Sequence, residues 1–299
     1  SKQILVEAAQ HRIEGRVLKE NFFTRRRLIG YQALIAGEAK QTLTLEKLVV
    51  IYTTRDLDGD GEPSLDKRDR VKALTFGKSQ TAAVQGFDFH LKEHVSAWAE
   101  LWKQADIRIE GDDFAQVAIR FAIFHLIQMA PWRDHRVSIA AKGLTGEGYR
   151  GHVFWDTEIF ILPFFLYTFP VVARNLLLYR YHTLPGALKK AQENGYEGAM
   201  FAWESADTGE ETTPKFGGLD LETRKPVRIW CGELEQHISA DIPYAVWHYY
   251  QATGDWEFIE NYGAEILWQT ARFWSSRVEY TPESDCYEIK RVIGPDEYS

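Results

Sequence analysis

The sequence is poor in several features that would narrow its class at once. Its two cysteines, Cys231 and Cys286, have no CxxC spacing. That excludes a disulfide scaffold and a thiolate metal framework and suits a reducing compartment, with one bridge between the two left open. Positive charge is not in surplus: 35 Lys and Arg against 43 Asp and Glu leave a net charge of −8, the reverse of a nucleic-acid-binding footprint. No apolar run approaches the roughly 18 residues of a membrane span. Ser1–Gln10 lacks the shape of a signal peptide, and no N-x-S/T acceptor occurs. Repeats and low-complexity tracts are missing too. With 45% apolar and 26% charged residues, the expectation is a soluble, cytoplasmic protein with a real core, in one large domain or two smaller ones.

Aromatic residues are abundant: 17 Phe, 14 Tyr and 10 Trp. They suit the faces of sugar rings, but composition alone favours the plainer reading of a large core. Along the chain the hydrophobic period changes. Segments at Ile13–Leu18, Leu28–Ala36, Gln41–Glu46, Leu48–Tyr52 and Val71–Phe76 read as short strands separated by turns, which predicts sheet-on-sheet packing. From Phe87 the period becomes helical: Phe87, Leu91, Val95, Trp98 and Trp102 share a face. Further helices are predicted at Phe114–Met129, Phe154–Thr168, Leu234–Tyr250 and Trp256–Tyr280. Two connections, Ala140–Val153 and Gly195 to about Gly232, are long and rich in Gly, Trp and carboxylates, as functional loops often are.

Single motifs are weak when taken alone. Asp56–Gly61 imitates the first half of a calcium loop, but Lys67 stands where the closing Glu belongs, so a solvated acidic turn is preferred and no metal is expected. Gly143–Gly151 is glycine-rich without the Gly-Lys-Ser/Thr ending of a phosphate loop. Trp155 and Asp156 could form a sugar platform with a hydroxyl acceptor, or equally a core Trp with a helix-capping Asp. The stretch Trp203–Glu211 reads for the most part as an acidic, solvated loop. His237 and Asp241 lie four apart on a helix, and a structural His is the simpler reading. Gly294-Pro295-Asp296-Glu297 could fix a carboxyl that, if partly desolvated, stays protonated near neutral pH as a general acid needs. More often such a sequence is only a turn.

Their order is more telling. Ala97–Trp102, Asp106–Asp112, Lys142–Tyr149, Gly151–Glu158, Trp203–Glu211 and Gly294–Tyr298 together resemble glycoside hydrolase family 65, the inverting α-glucoside phosphorylases. The resemblance spans nearly the whole chain and is weaker over residues 1–86. It implies a mixed fold: the end of a β-sandwich in 1–86, a helical linker in 87–111, and the first half of an (α/α)6 barrel in 112–299. By this resemblance Glu297, rather than Asp296, is the catalytic acid, Trp155 and Asp156 hold the glucosyl unit, and Trp203 and Glu204 flank the acceptor. Phosphate attacks the anomeric carbon in place of an activated water, giving β-glucose 1-phosphate, with no organic cofactor or metal. The family's phosphate contacts are expected beyond residue 299, in a longer protein of which this is part. A cytoplasmic homodimer with no nucleic-acid or membrane partner is also implied. The alternatives are a hydrolase of the same fold, such as a trehalase, and a non-catalytic sugar-binding fragment.

Overall fold

The structure is a computed structural model that describes residues 3–26, 28–57 and 65–297. It divides into two compact units, Ser1–Lys103 and Gln104–Ser299.

In the first unit, β1 (Leu5–Glu14) pairs antiparallel with β4 (Thr44–Thr53) in unbroken register from Leu5–Thr53 to Glu14–Thr44. Strands β2 (Arg16–Arg25) and β3 (Leu28–Ala36) form a second antiparallel pair, with an irregularity between Val17 and Lys19. The expected strand at Ile13–Leu18 is therefore two strands parted at Gly15. Of the expected piece Gln41–Glu46 only Thr44–Glu46 is strand, and it runs on through the expected piece Leu48–Tyr52 as the single strand β4. At its end Thr53 and Asp56 form a reciprocal cap on a short 3₁₀ turn: the Thr53 N–H and hydroxyl donate to Asp56 Oδ2 at 2.6 and 2.8 Å. The remainder of the calcium-like stretch, 58–61, lies outside the described residues.

The expected strand at Val71–Phe76 is instead part of helix α1 (Leu65–Gln85), which packs on β1 and β4. Its buried residues are Val71, Thr75 and Ser79, spaced by four. The Thr75 hydroxyl donates to Val71 O at 2.7 Å and Ser79 Oγ accepts from Gln10 at 3.2 Å. A helical face made of small hydroxyl residues has no apolar period to read, which is why the sequence pattern misleads here. Helix α2 (Phe87–Ala105) follows where the period predicts it, with Trp98 and Trp102 ring to ring at 6.0 Å.

The second unit is helical. Helix α3 (Asp113–Met129) starts at Asp112, whose Oδ1 accepts from Ala115 N at 2.9 Å. There follow α4 (Leu162–Thr168), entered through a π turn at Thr157–Ile161, and α5 (Pro170–His182), α6 (Leu184–Glu193), α7 (Cys231–Leu234) and α8 (Ile238–Thr253). Helix α9 (Trp256–Phe258) leads into α10 (Ala264–Arg277). Pro170 does stop the α4 segment, and α5 begins at that proline, where the missing N–H is harmless. Leu162, Phe165, Val172, Leu176, Leu177, Ile242, Val246, Phe258, Ile266 and Phe273 are wholly buried and form the core between these helices. Two small hairpins, β5 (Phe216–Leu219) with β6 (Pro226–Arg228) and β7 (Glu279–Thr281) with β8 (Cys286–Glu288), lie in the connections. Among the described residues no helix is long and apolar enough to cross a membrane.

Candidate active site

The site grows from one buried ion pair. Arg180 and Glu158, 1% and 0% exposed at the side chain, bond in a bidentate fork at 2.7 and 2.6 Å. Arg180 Nη2 also donates to Phe154 O at 2.9 Å. This clamps the chain on both sides of Trp155 and Asp156, so the backbone carrying them is set from beneath. Half-buried Trp155 meets His237 edge to face at 4.9 Å and Phe160 at 5.5 Å. The turn leading in, Gly148–Gly151, holds Tyr149, Arg150 and Gly151 in the left-handed region at φ 58°, 54° and 80°. Only the glycine adopts that conformation without strain.

The loop read as mostly solvated acid is partly an interior structure. Glu204 is 5% exposed; His152 Nδ1 donates to its Oε1 at 2.5 Å. Val153 and Ser205 form an antiparallel bridge, holding the His152 and Glu204 segments together. Glu211 accepts from Lys190 Nζ at 2.6 Å and from the backbone N–H groups of Trp203 and Glu204 at 3.0 and 3.2 Å. A carboxylate with a cation and several N–H donors has replaced its hydration and can leave water, which is why these acids are not solvated. Asp207 and Glu210 do remain exposed. Gly209, at φ 73°, is needed because a Cβ there would lie 2.3 Å from Thr183 O. The indole N–H of Trp203 is buried with no hydrogen-bond partner among the described residues.

Glu297 sits in a turn, with φ 61° and its N–H bonded to Gly294 O at 3.0 Å. It shares a cavity of about 790 Å³ with Trp203, Glu204, His152, Arg228 and Cys231, a size suited to a small sugar. Burial pushes the Glu297 carboxyl above its ordinary range, and the charges of Glu235 and Asp156 push it further. Asp156 is raised too, by burial and by Glu235, against the pull of its own backbone N–H and of His237. Burial lifts the Cys231 thiol to about 12, with help from Glu235 and Glu297.

His237 is the cation among these acids. Its Nδ1 lies 2.6 Å from Asp241 Oδ2 and its Nε2 lies 3.2 Å from Glu235 Oε2. Carboxylates only accept, so both ring nitrogens carry hydrogen and the ring is an imidazolium. Burial opposes that charge, but the two carboxylates outweigh it and raise the pKa to about 9.

The central catalytic domain model of glycosyl hydrolase family 65 matches residues 120–299, and the family's N-terminal domain model matches residues 1–101. The chain belongs to glycosyl hydrolase family 65. A kojibiose phosphorylase of Halothermothrix orenii is 57% identical over 282 residues, 94% of this chain and 36% of that protein. A kojibiose hydrolase of Flavobacterium johnsoniae is 43% identical over 218 residues, 73% of this chain and 30% of that protein. The solved "Putative kojibiose phosphorylase from human microbiome" matches at a TM-score of 0.80 and 26% identity, covering 99% of this chain and 36% of that one. The chain thus spans about a third of the length of the curated relatives it matches.

In this family 65 chain the cavity brings Glu297, Trp203 and Glu204 into one wall. Trp155 and Asp156 are not part of that wall. Trp155 instead contacts His237, which lies outside that wall as well, and the charge of Asp156 acts on Glu297. Three residues escaped the sequence reading: Glu235, His152 in its bond to Glu204, and Arg228. The run Glu233-Leu234-Glu235-Gln236-His237 was the available signal for Glu235, since it puts an acid within reach of a His already paired with Asp241. His237, read as structural, is held as a structural His would be, yet between two carboxylates. Among the described residues no group of three or more His, Cys, Asp or Glu is arranged to hold a metal.

Proposed function

We propose that the protein containing this chain cleaves an α-glucoside by inverting phosphorolysis, with kojibiose the first candidate substrate. The observation that carries the reading is Glu297: a carboxyl lining a sugar-sized cavity, raised above its ordinary range by burial and by the charges of Glu235 and Asp156. That proton goes to the glycosidic oxygen as its bond to the anomeric carbon breaks. A phosphate oxygen forms the new bond from the opposite face, so an α-linkage yields β-glucose 1-phosphate and the freed acceptor. Trp155 and Asp156 take the glucosyl ring by face and hydroxyl contacts; Trp203, with its unpaired indole N–H, and Glu204 take the acceptor. In this reading 112–299 is the first half of an (α/α)6 barrel, joined by a helical linker at 87–111 to the end of a β-sandwich in 1–86. The whole would be a cytoplasmic homodimer using phosphate as co-substrate and no other cofactor.

The test is full-length protein incubated with kojibiose and phosphate, which should release β-glucose 1-phosphate and glucose in equal amounts. Glucose release at the same rate without phosphate would sink phosphorolysis. It would support hydrolysis instead, a reading favoured by the 43% identity to a kojibiose hydrolase.

A further inference from the structure

Glu235 is fully buried. Its Oε2 accepts from His237, while its Oε1 has no hydrogen-bond partner among the described residues. An unpartnered carboxylate oxygen in the interior is costly, and a neutral side chain of the same size would fill the space without that cost. The strip that carries Glu235 is also the support of the Glu297 loop. Ile293 N donates to Leu234 O at 3.0 Å. Buried Arg277 donates through Nε to Gln236 Oε1 at 2.6 Å and through Nη2 to the Lys290 carbonyl. Cys231, one helical turn before Glu235, lines the same cavity as Glu297.

We propose that Glu235 is a positioning residue for Glu297: paired with the His237 imidazolium, it fixes the strip on which the Glu297 loop rests and adds a buried negative charge to the surroundings of that acid. The inference rests on Glu297 being the acid. After burial, the groups that act on Glu297 are Glu235 and Asp156. The Cys231 thiol, the His152–Glu204 pair, Arg150 and Arg228 share the cavity wall. Asp241 occupies the other nitrogen of the His237 ring. Of these, Glu235 has the geometry to do both jobs, since its own strip bonds to the acid loop. A general acid works while protonated, so activity is lost as pH rises through its pKa. Removing a facing negative charge lowers that pKa and moves the loss to lower pH.

The experiment compares wild type and Glu235→Gln in the full-length protein, on kojibiose with phosphate and on α-glucosyl fluoride with phosphate. Fluoride leaves without a proton and so bypasses the acid. On kojibiose the alkaline limb of kcat/KM should move to lower pH by about 0.5–1 unit, with KM within about twofold; phosphate ionisation is common to both proteins. On the fluoride the limb should stay in place. An unmoved limb on kojibiose overturns the proposal, and so does an equal loss on both substrates at every pH, which is what a purely structural role gives. If Glu235→Gln does not fold, Glu235→Asp keeps the charge but shortens its reach to His237. It should lower kcat on kojibiose more than on the fluoride, and an equal loss on both at every pH is equally fatal. A wild-type protein that needs no phosphate overturns phosphorolysis alone, since the same limb is then measured in hydrolysis.

Discussion

Two groups of acids in the second unit are treated in opposite ways. Glu204 and Glu211 each have a partner of the other kind: the His152 ring for Glu204, Lys190 and backbone N–H groups for Glu211. Glu235, Asp156 and Glu297 instead act on one another through their charges, with the imidazolium of His237 bonded to Glu235, and Asp156 and Glu297 are both pushed upward. The first group spends its charges on shape, holding a loop that would otherwise be solvated. The second gathers several negative charges about one imidazolium, which favours the protonated form of a neighbouring carboxyl. Shape and proton chemistry are thus divided between two sets of the same residue types.

The sharpest way to break this contrast is at Glu297. Glu297→Gln should lower kcat on kojibiose by about a thousandfold with KM changed less than about threefold; an undiminished rate would place the acid elsewhere. Next in size, Lys190→Met strips the cation from Glu211. It should destabilise the protein by about 3 kcal/mol in urea unfolding, with part of the loss recovered in Lys190→Met/Glu211→Gln. The same pair of variants should move turnover less than stability.

A pH test sharpens the other side. His237 has a folded pKa of about 9 against an ordinary 6.5. A raised pKa on a base stabilises the fold fully below 6.5, and that stability is lost as pH rises through 9. The wild type should therefore lose up to about 2–3 kcal/mol across this window relative to His237→Gln, read as the difference in their unfolding free energies. Parallel curves for the two proteins would mean that the ring is not charged. The smallest effect is expected at Glu204→Gln, which keeps the side-chain size. It should raise KM about five- to tenfold, as one weakened polar contact does, with kcat little changed.

Much of the architecture was legible in the pattern of apolar residues. The helix from Phe87, the helix at Phe114–Met129 and the stop at Pro170 all come from local rules that act within a few residues, although the change from strands to helices itself falls earlier, at Leu65. Val71–Phe76 failed because α1 buries Thr75 and Ser79, and small hydroxyl residues bonded within the fold carry no hydrophobic signal. The site was legible in part. Glu297, Trp203 and Glu204 could be named from motif order, and they do share a cavity. Glu235 could not, because a lone Glu in a helical stretch is by default a solvated face.

By itself, then, the sequence determined most of the helices and the first strands, the family, and which acids stand next to tryptophan or a Gly-Pro turn. Local propensity and motif spacing need no knowledge of what lies across the fold. Only the tertiary structure decided which carboxylates have a counter-charge and which have each other. Coulomb and hydrogen-bond interactions depend on distances of a few ångströms in space. Residues as remote along the chain as Asp156, Glu235 and Glu297 come within one another's field only when the segments that carry them have packed.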